Sequence, residues 1–265
     1  MRLIKRFCSV ISHDNQWIVV SGNRKIEIVY EDRSLIVVNK PGNMLTQGDK
    51  SNDMSLFSII KEYRRKRENK SGEAWLGIIH RLDKCVSGLV VFAKNSKAAS
   101  RLSSQFREKI VQKKYLALVE DSRNMIRQND ETVKLTNYLE INPDNYFTKV
   151  HTSNNSNGTL YSASLCYKCL GFYSHQTIKL PCLLVDLSQG GKKHQIRAML
   201  ANAGHPILLD SKYGSKSSNS SIFLHSYLLQ LKHPISSEVM TFKRIPDWNF
   251  NGSQQLLHSL QTNGG

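Results

Sequence analysis

The sequence predicts an α+β fold, on three observations. Strand-like segments recur along the 265 residues, only three segments carry a helical apolar stripe, and the two kinds do not alternate regularly. No internal repeat is visible. The expected organisation is an N-terminal extension over residues 1–25, one domain over 26–250 and a flexible polar tail over 251–265.

Taken in order, Ile26 and Ile28 alternate with polar residues, and Leu35-Ile36-Val37-Val38 is continuously apolar. These predict two strands parted by Glu31-Asp32-Arg33-Ser34, the second ending in the turn Lys40-Pro41-Gly42-Asn43. Asp53 is placed to cap a helix in which Leu56, Ile59, Ile60 and Tyr63 share a face. That helix ends in Arg64-Arg65-Lys66-Arg67, a cluster that suits either a helix C-terminus or RNA phosphate. Leu89 to Ala93 reads as a buried strand, and Ser96 as the cap of a second helix bearing Ala99, Leu102, Phe106 and Ile110. Val111 to Val119 returns to strand. Residues 120–160 are polar, with short strands at Val133 to Leu139 and Phe147 to His151. Leu160 to Leu170 and Ile178 to Leu187 predict paired strands, broken at Gly190-Gly191. Ile196, Met199, Leu200 and Ala203 have helical spacing and Gly204 is a natural stop. Ile222 to Leu231 is again strand-like.

Composition narrows the partners. Hydrophobic residues are 40% and charged residues 22%, ordinary for a globular protein, but 37 Lys and Arg face 21 Asp and Glu, a formal charge of +16. Such an excess suits a polyanion, nucleic acid before a membrane surface. No apolar run approaches a membrane span. The five cysteines are sparse and do not suggest a disulfide framework. Cys166 and Cys169 form one C-x-x-C in a segment that alternates as a strand, so the two would face opposite ways, and no further zinc ligands are evident. Arg2, Lys5 and Arg6 without an acid in the first twelve residues admit a mitochondrial leader, with the cytoplasm as the default location.

The segment His80-Arg81-Leu82-Asp83-Lys84-Cys85-Val86-Ser87-Gly88 precedes the buried strand. It sets one carboxylate, Asp83, on a loop beside Arg81. A cation keeps such a carboxylate ionised and fit to act as a nucleophile; a turn cap or simple ion pair is the plainer role.

This segment resembles the signature loop of RluA-type pseudouridine synthases, roughly H-R-L-D-x-x-T-S-G, departing at Val86. Gly191-Lys192-Lys193-His194-Gln195-Ile196-Arg197 resembles the family's G-R-T-H-Q-I-R. Echoes in the same order are Lys40-Pro41-Gly42, Lys113 to Val119, Gly204-His205-Pro206-Ile207 with Asp210 and Tyr213-Gly214, and Leu224-His225, spanning about residues 29 to 245. The resemblance implies a long, bent, mixed and mostly antiparallel sheet flanked by helices and loops, with a cleft across it. It also implies a catalytic domain without the small N-terminal S4 domain many relatives carry.

By that resemblance Asp83 is the catalytic aspartate, Tyr115 packs against the target base and is a candidate for the carbon-5 proton, and Arg197 pairs with Asp83. Arg81 fills the space of a flipped nucleotide, and Lys192, Lys193 and His194 line the RNA groove. The implied function is isomerisation of specific uridines to pseudouridine in tRNA or rRNA by a monomer, with RNA as partner, no membrane, no metal and no cofactor. The alternative is an inactive RNA-binding protein of the same fold. Among unrelated classes, a metal nuclease would want clustered carboxylates and a methyltransferase a glycine-rich loop after a strand; neither is present. A structural basic protein, such as a ribosome component, would not turn over RNA.

Overall fold

The computed structural model describes residues 16–20, 24–49, 54–69, 71–121, 125–128, 131–142, 147–154, 158–175 and 178–248. Among them the chain runs β1 (Gln16–Val20), β2 (Arg24–Glu31), β3 (Leu35–Lys40), α1 (Leu56–Arg67), β4 (Gly77–Ile78), β5 (Ser87–Ala93), α2 (Ser96–Arg107), β6 (Gln112–Leu118), β7 (Val133–Ile141), β8 (Thr148–His151), β9 (Leu160–His175), β10 (Ile178–Asp186), α3 (Gln195–Asn202), a 3-10 turn (Ser211–Tyr213), β11 (Leu224–Lys232) and β12 (Val239–Lys243).

Twelve strands form one sheet in the order β1-β2-β3-β5-β11-β6-β10-β9-β7-β8, with β12 beside β11 and β4 beside β5. Every pairing is antiparallel except β5 with β11, where His225 lies opposite Ser87 and Ser226 opposite Gly88. The sheet is therefore mixed and mostly antiparallel, as expected. Gly88 is required at that parallel contact: its φ is +115°, and a Cβ would fall 2.4 Å from the Ser226 carbonyl oxygen.

Strand alternation sorts the core onto two faces. On β3, Ile36 and Val38 join one apolar cluster while Leu35 and Val37 join another; on β5, Val90 and Phe92 part from Leu89, Val91 and Ala93 in the same way. The first face carries Leu56, Ile59 and Ile60 of α1, Ile196, Met199 and Leu200 of α3, and Tyr115 of β6. The opposite face is covered over β3 and β5 by α2, through Ala98 and Leu102. Thus α1 and α3 share their side of the sheet with Tyr115.

Local details differ from the sequence expectation in several places; β1, within the expected extension, and the two-residue β4 are strands it does not include. Asp53 lies outside the described residues; the α1 cap is Ser55, whose hydroxyl accepts the Ser58 N–H at 3.2 Å. Asn95 caps α2 in place of Ser96, accepting from Ala98 N–H at 2.9 Å. β9 continues past Leu170 because the register shift against β10 absorbs that residue: Cys182 faces Gly171 and Leu183 faces Cys169. β12, five residues long with only Phe242 buried, carries no alternation strong enough to read.

Two histidines, His225 buried and His80 half-buried, bear on stability. His80 Nε2 accepts the Val91 N–H at 3.1 Å and its ring stacks on Phe106 at 4.8 Å, so that nitrogen carries no proton. His225 Nε2 faces the Arg244 carbonyl at 3.0 Å and must donate, which leaves Nδ1 to accept from the Ser87 hydroxyl at 2.8 Å. Loss of hydration pushes His80 down to about 3, with Lys113 adding to it, and His225 down to about 4. The unfolded chain titrates these rings near ~6.5. Below that pH it binds protons that the folded state refuses, so stability falls as pH drops from about 6.5 toward 4. Urea unfolding at pH 7 and pH 5 is expected to show a lower midpoint at pH 5; an unchanged midpoint would mean that these rings are protonated in the fold.

Candidate active site

The loop from His80 to Val86 connects β4 to β5 on the Tyr115 side of the sheet, and neighbouring backbone holds it almost residue by residue. Thr46 Oγ1 donates to the Leu82 carbonyl at 2.7 Å and accepts the Leu82 N–H at 3.2 Å. Met44 N–H donates to the Lys84 carbonyl at 3.1 Å, Ile222 N–H to the Cys85 carbonyl at 3.1 Å, and Val86 N–H to the Asp83 carbonyl at 3.1 Å. Leu82 and Val86 point into the core. Asp83, between them, keeps 30% of its side chain exposed.

Lys40, at the end of β3, is fully buried, and its ammonium donates to the carbonyls of Met44 at 2.8 Å, Pro41 at 3.0 Å and Lys84 at 3.3 Å. Three acceptors match the three protons of an ammonium. Burial pulls this group down to about 7, against the opposing pull of Cys85 and Asp83. The Lys-Pro-Gly turn is thereby tied to the Asp83 loop through one side chain.

Arg197 comes from the first turn of α3. Its Nη1 donates to Asp83 Oδ2 at 2.9 Å. Its Nε and Nη2 take Asp210 as a fork, at 2.7 Å to Oδ2 and 2.9 Å to Oδ1. Asp210, just before the 3-10 turn, is 1% exposed and Arg197 7%. Burial works against the guanidinium charge, but the Asp210 hydrogen bonds and the nearby Cys85, Asp210 and Asp83 hold it above the ordinary arginine value. The Arg197–Asp83 pairing expected from the sequence is present in this geometry; the stronger Asp210 fork is not foreseeable from the Arg197 block alone.

The turn before α3 is set by Gln195. Its Oε1 accepts the N–H groups of Gly191 at 2.9 Å and Lys192 at 3.0 Å, and its Nε2 donates to the Ser164 carbonyl at 2.9 Å. Gly190 packs against this amide: a Cβ there would lie 2.5 Å from Gln195 Nε2. Tyr115, on β6 opposite Ser226, is buried and senses the Asp83 charge. Burial first, then Asp83, push its phenol up to about 12, with the Ser226 hydrogen bond opposing them.

The four residues expected to meet RNA are placed differently. Arg81 and Lys192 are exposed, Lys192 with Nζ 4.2 Å from the Tyr161 ring centroid. Lys193 is half-buried and senses Asp83, Lys212 and Arg81, so these groups cluster. His194 is 9% exposed, with Nε2 3.6 Å from Asp83 Oδ2 and Nδ1 2.8 Å from Tyr213 Oη. It faces the carboxylate. Tyr213, Tyr161 and Lys212 are site neighbours that the sequence expectation does not include.

Each member of the Arg64–Arg67 cluster pairs with a carboxylate of the chain, Arg64 buried and the others at the surface. Arg64 is buried and binds Glu68 at 2.7 Å and the Trp75 and Lys94 carbonyls. Arg65 and Lys66 pair with Glu62 at 2.7 and 3.5 Å, and Arg67 with Glu31 and Tyr63. Cys169 faces the core beside Leu165 and Tyr167, and Cys166, three residues earlier on β9, faces the other side. Among the described residues no three His, Cys, Asp or Glu side chains come together as a metal would need, and no helix is long and apolar enough to cross a membrane.

Residues 34–202 match the family model for RNA pseudouridylate synthase. The chain is 30% identical over 240 residues to "Ribosomal large subunit pseudouridine synthase C" of Haemophilus influenzae, covering 87% of this chain and 68% of that protein. Its similarity to the protein of that name from Escherichia coli O157:H7 is 30% identity over 88% of this chain and 70% of the relative. An "Uncharacterized RNA pseudouridine synthase" of Helicobacter pylori is 30% identical over 83% of this chain and 66% of that protein. The chain thus spans about two thirds of the length of these relatives. In fold it is similar to the solved human RNA Pseudouridylate Synthase Domain Containing 1, with TM-score 0.65 and 21% identity over 89% of this chain and 94% of that one.

Replacing Asp210 isolates the part of this geometry that is structural. Asp210→Ala removes the fork from a buried guanidinium, and a loss of about 3–5 kcal/mol in urea unfolding is expected. A loss below ~1 kcal/mol, typical of a surface pair, would show that Arg197 finds water or another partner.

Proposed function

The chain belongs to the RNA pseudouridylate synthase family, and from that membership we propose that it isomerises uridine to pseudouridine in RNA with Asp83 as the reacting carboxylate. One observation carries the assignment: Arg197 and His194 both address Asp83 Oδ2, and among the described residues no donor addresses Oδ1. One oxygen is anchored and the other is left for substrate. A binding module without catalysis has no need of that arrangement.

The reaction balances without a partner molecule. The bond from the sugar to uracil N1 breaks, a bond from the sugar to carbon 5 forms, carbon 5 loses a proton and N1 gains one. No electrons are transferred and no group is imported, so the chemistry itself calls for neither a redox cofactor nor a metal. A carboxylate fits either opening move, attack on the base or action at the sugar. Arg197 pairs with the Asp83 carboxylate and fixes its rotamer. Tyr115 packs against the uracil in this scheme. As a phenol pushed up to about 12 it is a weak base near neutral pH, so the carbon-5 proton is better taken by Asp83 Oδ1 or by water.

Large-subunit ribosomal RNA is the first substrate to test, because the named relatives are ribosomal large subunit synthases; tRNA is the second. The charge of +16 supplies the attraction to either. Pseudouridine mapped across total RNA with and without the protein identifies the target.

Asp83→Asn is expected to fold normally and to release no tritium above background from RNA labelled at uracil carbon 5. Near-normal release by this variant would remove Asp83 from the chemistry.

Arg81, exposed beside Asp83, is proposed to stack in the gap left by a flipped uridine. Unstacking costs a few kcal/mol, and less when the base is already single-stranded. Arg81→Ala should therefore slow single turnover on a stem-loop more than on a single-stranded oligonucleotide. Equal slowing on both would place Arg81 in the site electrostatics and not in flipping.

A further inference from the structure

The hydrogen bonds around His194 determine which of its nitrogens carries the proton. The Thr148 N–H, at the start of β8, donates to Tyr213 Oη at 2.9 Å. Tyr213 Oη lies 2.8 Å from His194 Nδ1, and the His194 and Tyr213 rings meet edge to face at 5.7 Å and 88°. A phenol oxygen that already accepts an N–H still has its own hydrogen to give. If that hydrogen goes to Nδ1, the neutral ring carries its proton on Nε2. The other tautomer would point a bare Nε2 lone pair at Asp83 Oδ2, 3.6 Å away. Two electron-rich atoms facing each other in a largely buried site repel, so the Nε2–H form is favoured.

The backbone is held in the same cause. His194 has φ +53°, a left-handed conformation uncommon for a residue with a side chain. Its neighbours hold it there: Thr148 Oγ1 donates to the Lys193 carbonyl at 2.9 Å, and Gln195 Oε1 grips the Lys192 N–H at 3.0 Å. A groove-lining cation would not need its ring enclosed on one side by Tyr213 and turned on the other toward a carboxylate.

We propose that His194 is a positioning residue for Asp83: the β8 edge, acting through Thr148 and Tyr213, holds the imidazole as its Nε2–H tautomer, and this neutral donor joins Arg197 in fixing Oδ2 so that Oδ1 meets the substrate. Asp83 is here taken as the catalytic carboxylate proposed above. The ring stays neutral because burial pushes it down to about 4, with Arg197, Lys212 and Lys193 adding to that effect and Asp83 opposing it. At 3.6 Å the contact is longer than a hydrogen bond; such contacts tighten when substrate closes the site. The role differs from RNA binding in what it controls. It sets the rate of the chemical step and leaves RNA affinity alone.

The experiment combines one spectrum and three variants of the full chain. In ¹⁵N-histidine-labelled wild-type protein, His194 is expected to give the pattern of a neutral ring protonated at Nε2 at pH 7. Tyr213→Phe, which deletes the hydroxyl, should raise the Nδ1–H population. In single turnover on a short unstructured RNA, His194→Asn loses the group facing Asp83 and should slow the rate about a hundredfold, the usual cost of a misplaced catalytic group, with RNA affinity unchanged. His194→Gln, whose amide N–H can reach toward Oδ2, should recover part of that loss. A wild-type ring protonated at Nδ1 would overturn the proposal, as would a His194→Asn protein that reacts normally once bound but binds RNA weakly. The spectrum decides even if the variants do not fold. Activity in Asp83→Asn would instead refute the catalytic assignment of Asp83, an outcome distinct from either.

Discussion

A single buried guanidinium ties the site together. Arg197 bonds Asp210 with two of its nitrogens and Asp83 with the third. Each side chain belongs to a different part of the chain: α3, the turn after it, and the loop before β5. A buried arginine without partners is costly, and so is a buried aspartate. The three segments can come together only in an arrangement that satisfies all three groups at once. Asp210 is the more buried of the two carboxylates and holds the guanidinium in place; Asp83 meets the remaining nitrogen and stays partly exposed. The buried pair is thus a template, and its value lies less in net stability than in fixing where the exposed carboxylate must sit.

That template would be useless on a mobile loop. The sheet removes the mobility from below, since the residues after Asp83 enter the one parallel pairing in the sheet, Ser87 and Gly88 against β11. The end of β3 and the β3–α1 connection remove it from the side, through the Lys40 ammonium, the Thr46 hydroxyl and the Met44 N–H. His225 adds a third tie, gripping Ser87 on one side of its ring and the Arg244 carbonyl on the other. Side chains of charged or polar character do this work, and they are buried because carbonyls and hydroxyls surround them. The cost of burial is offset by hydrogen bonds that exist only when the loop has its one conformation.

Much of this was legible in the sequence where the signal is local. Continuous apolar runs place β3 and β5 closely, because both faces of these strands are packed, and the alternation of Ile26 and Ile28 places β2. Helical spacing places α1, α2 and α3. The caps shift by one or two residues because Ser and Asn neighbours compete for the same amide, which spacing cannot resolve. Partners distant in sequence are not legible. Nothing in the Gly191 to Arg197 block says that Asp210 takes the fork. His194 reads as one more base in a basic run; only the distant Thr148 and Tyr213 turn its ring toward a carboxylate. The Arg64–Arg67 cluster is the converse case: a dense positive run on paper, partly offset in space by Glu31, Glu62 and Glu68.

On the function proposed above, the last contrast explains how a chain of charge +16 draws negatively charged RNA to a site with two carboxylates at its centre. Inside, charges are matched: Arg197 lies between Asp83 and Asp210, and the Lys40 ammonium is wrapped in carbonyls. Outside, the balance tips the other way, with Arg81, Lys192, Lys193 and Lys212 gathered around the Asp83 loop and the turn before α3. Solvent screens the outer charges and attenuates their influence on Asp83, while in the proposed function they draw in a phosphate backbone. The buried charges are screened little and act only over contact distances. Attraction of the polyanion and control of the carboxylate are thereby assigned to separate shells of charge. The outer shell can be rich in lysine without neutralising the aspartate at its centre.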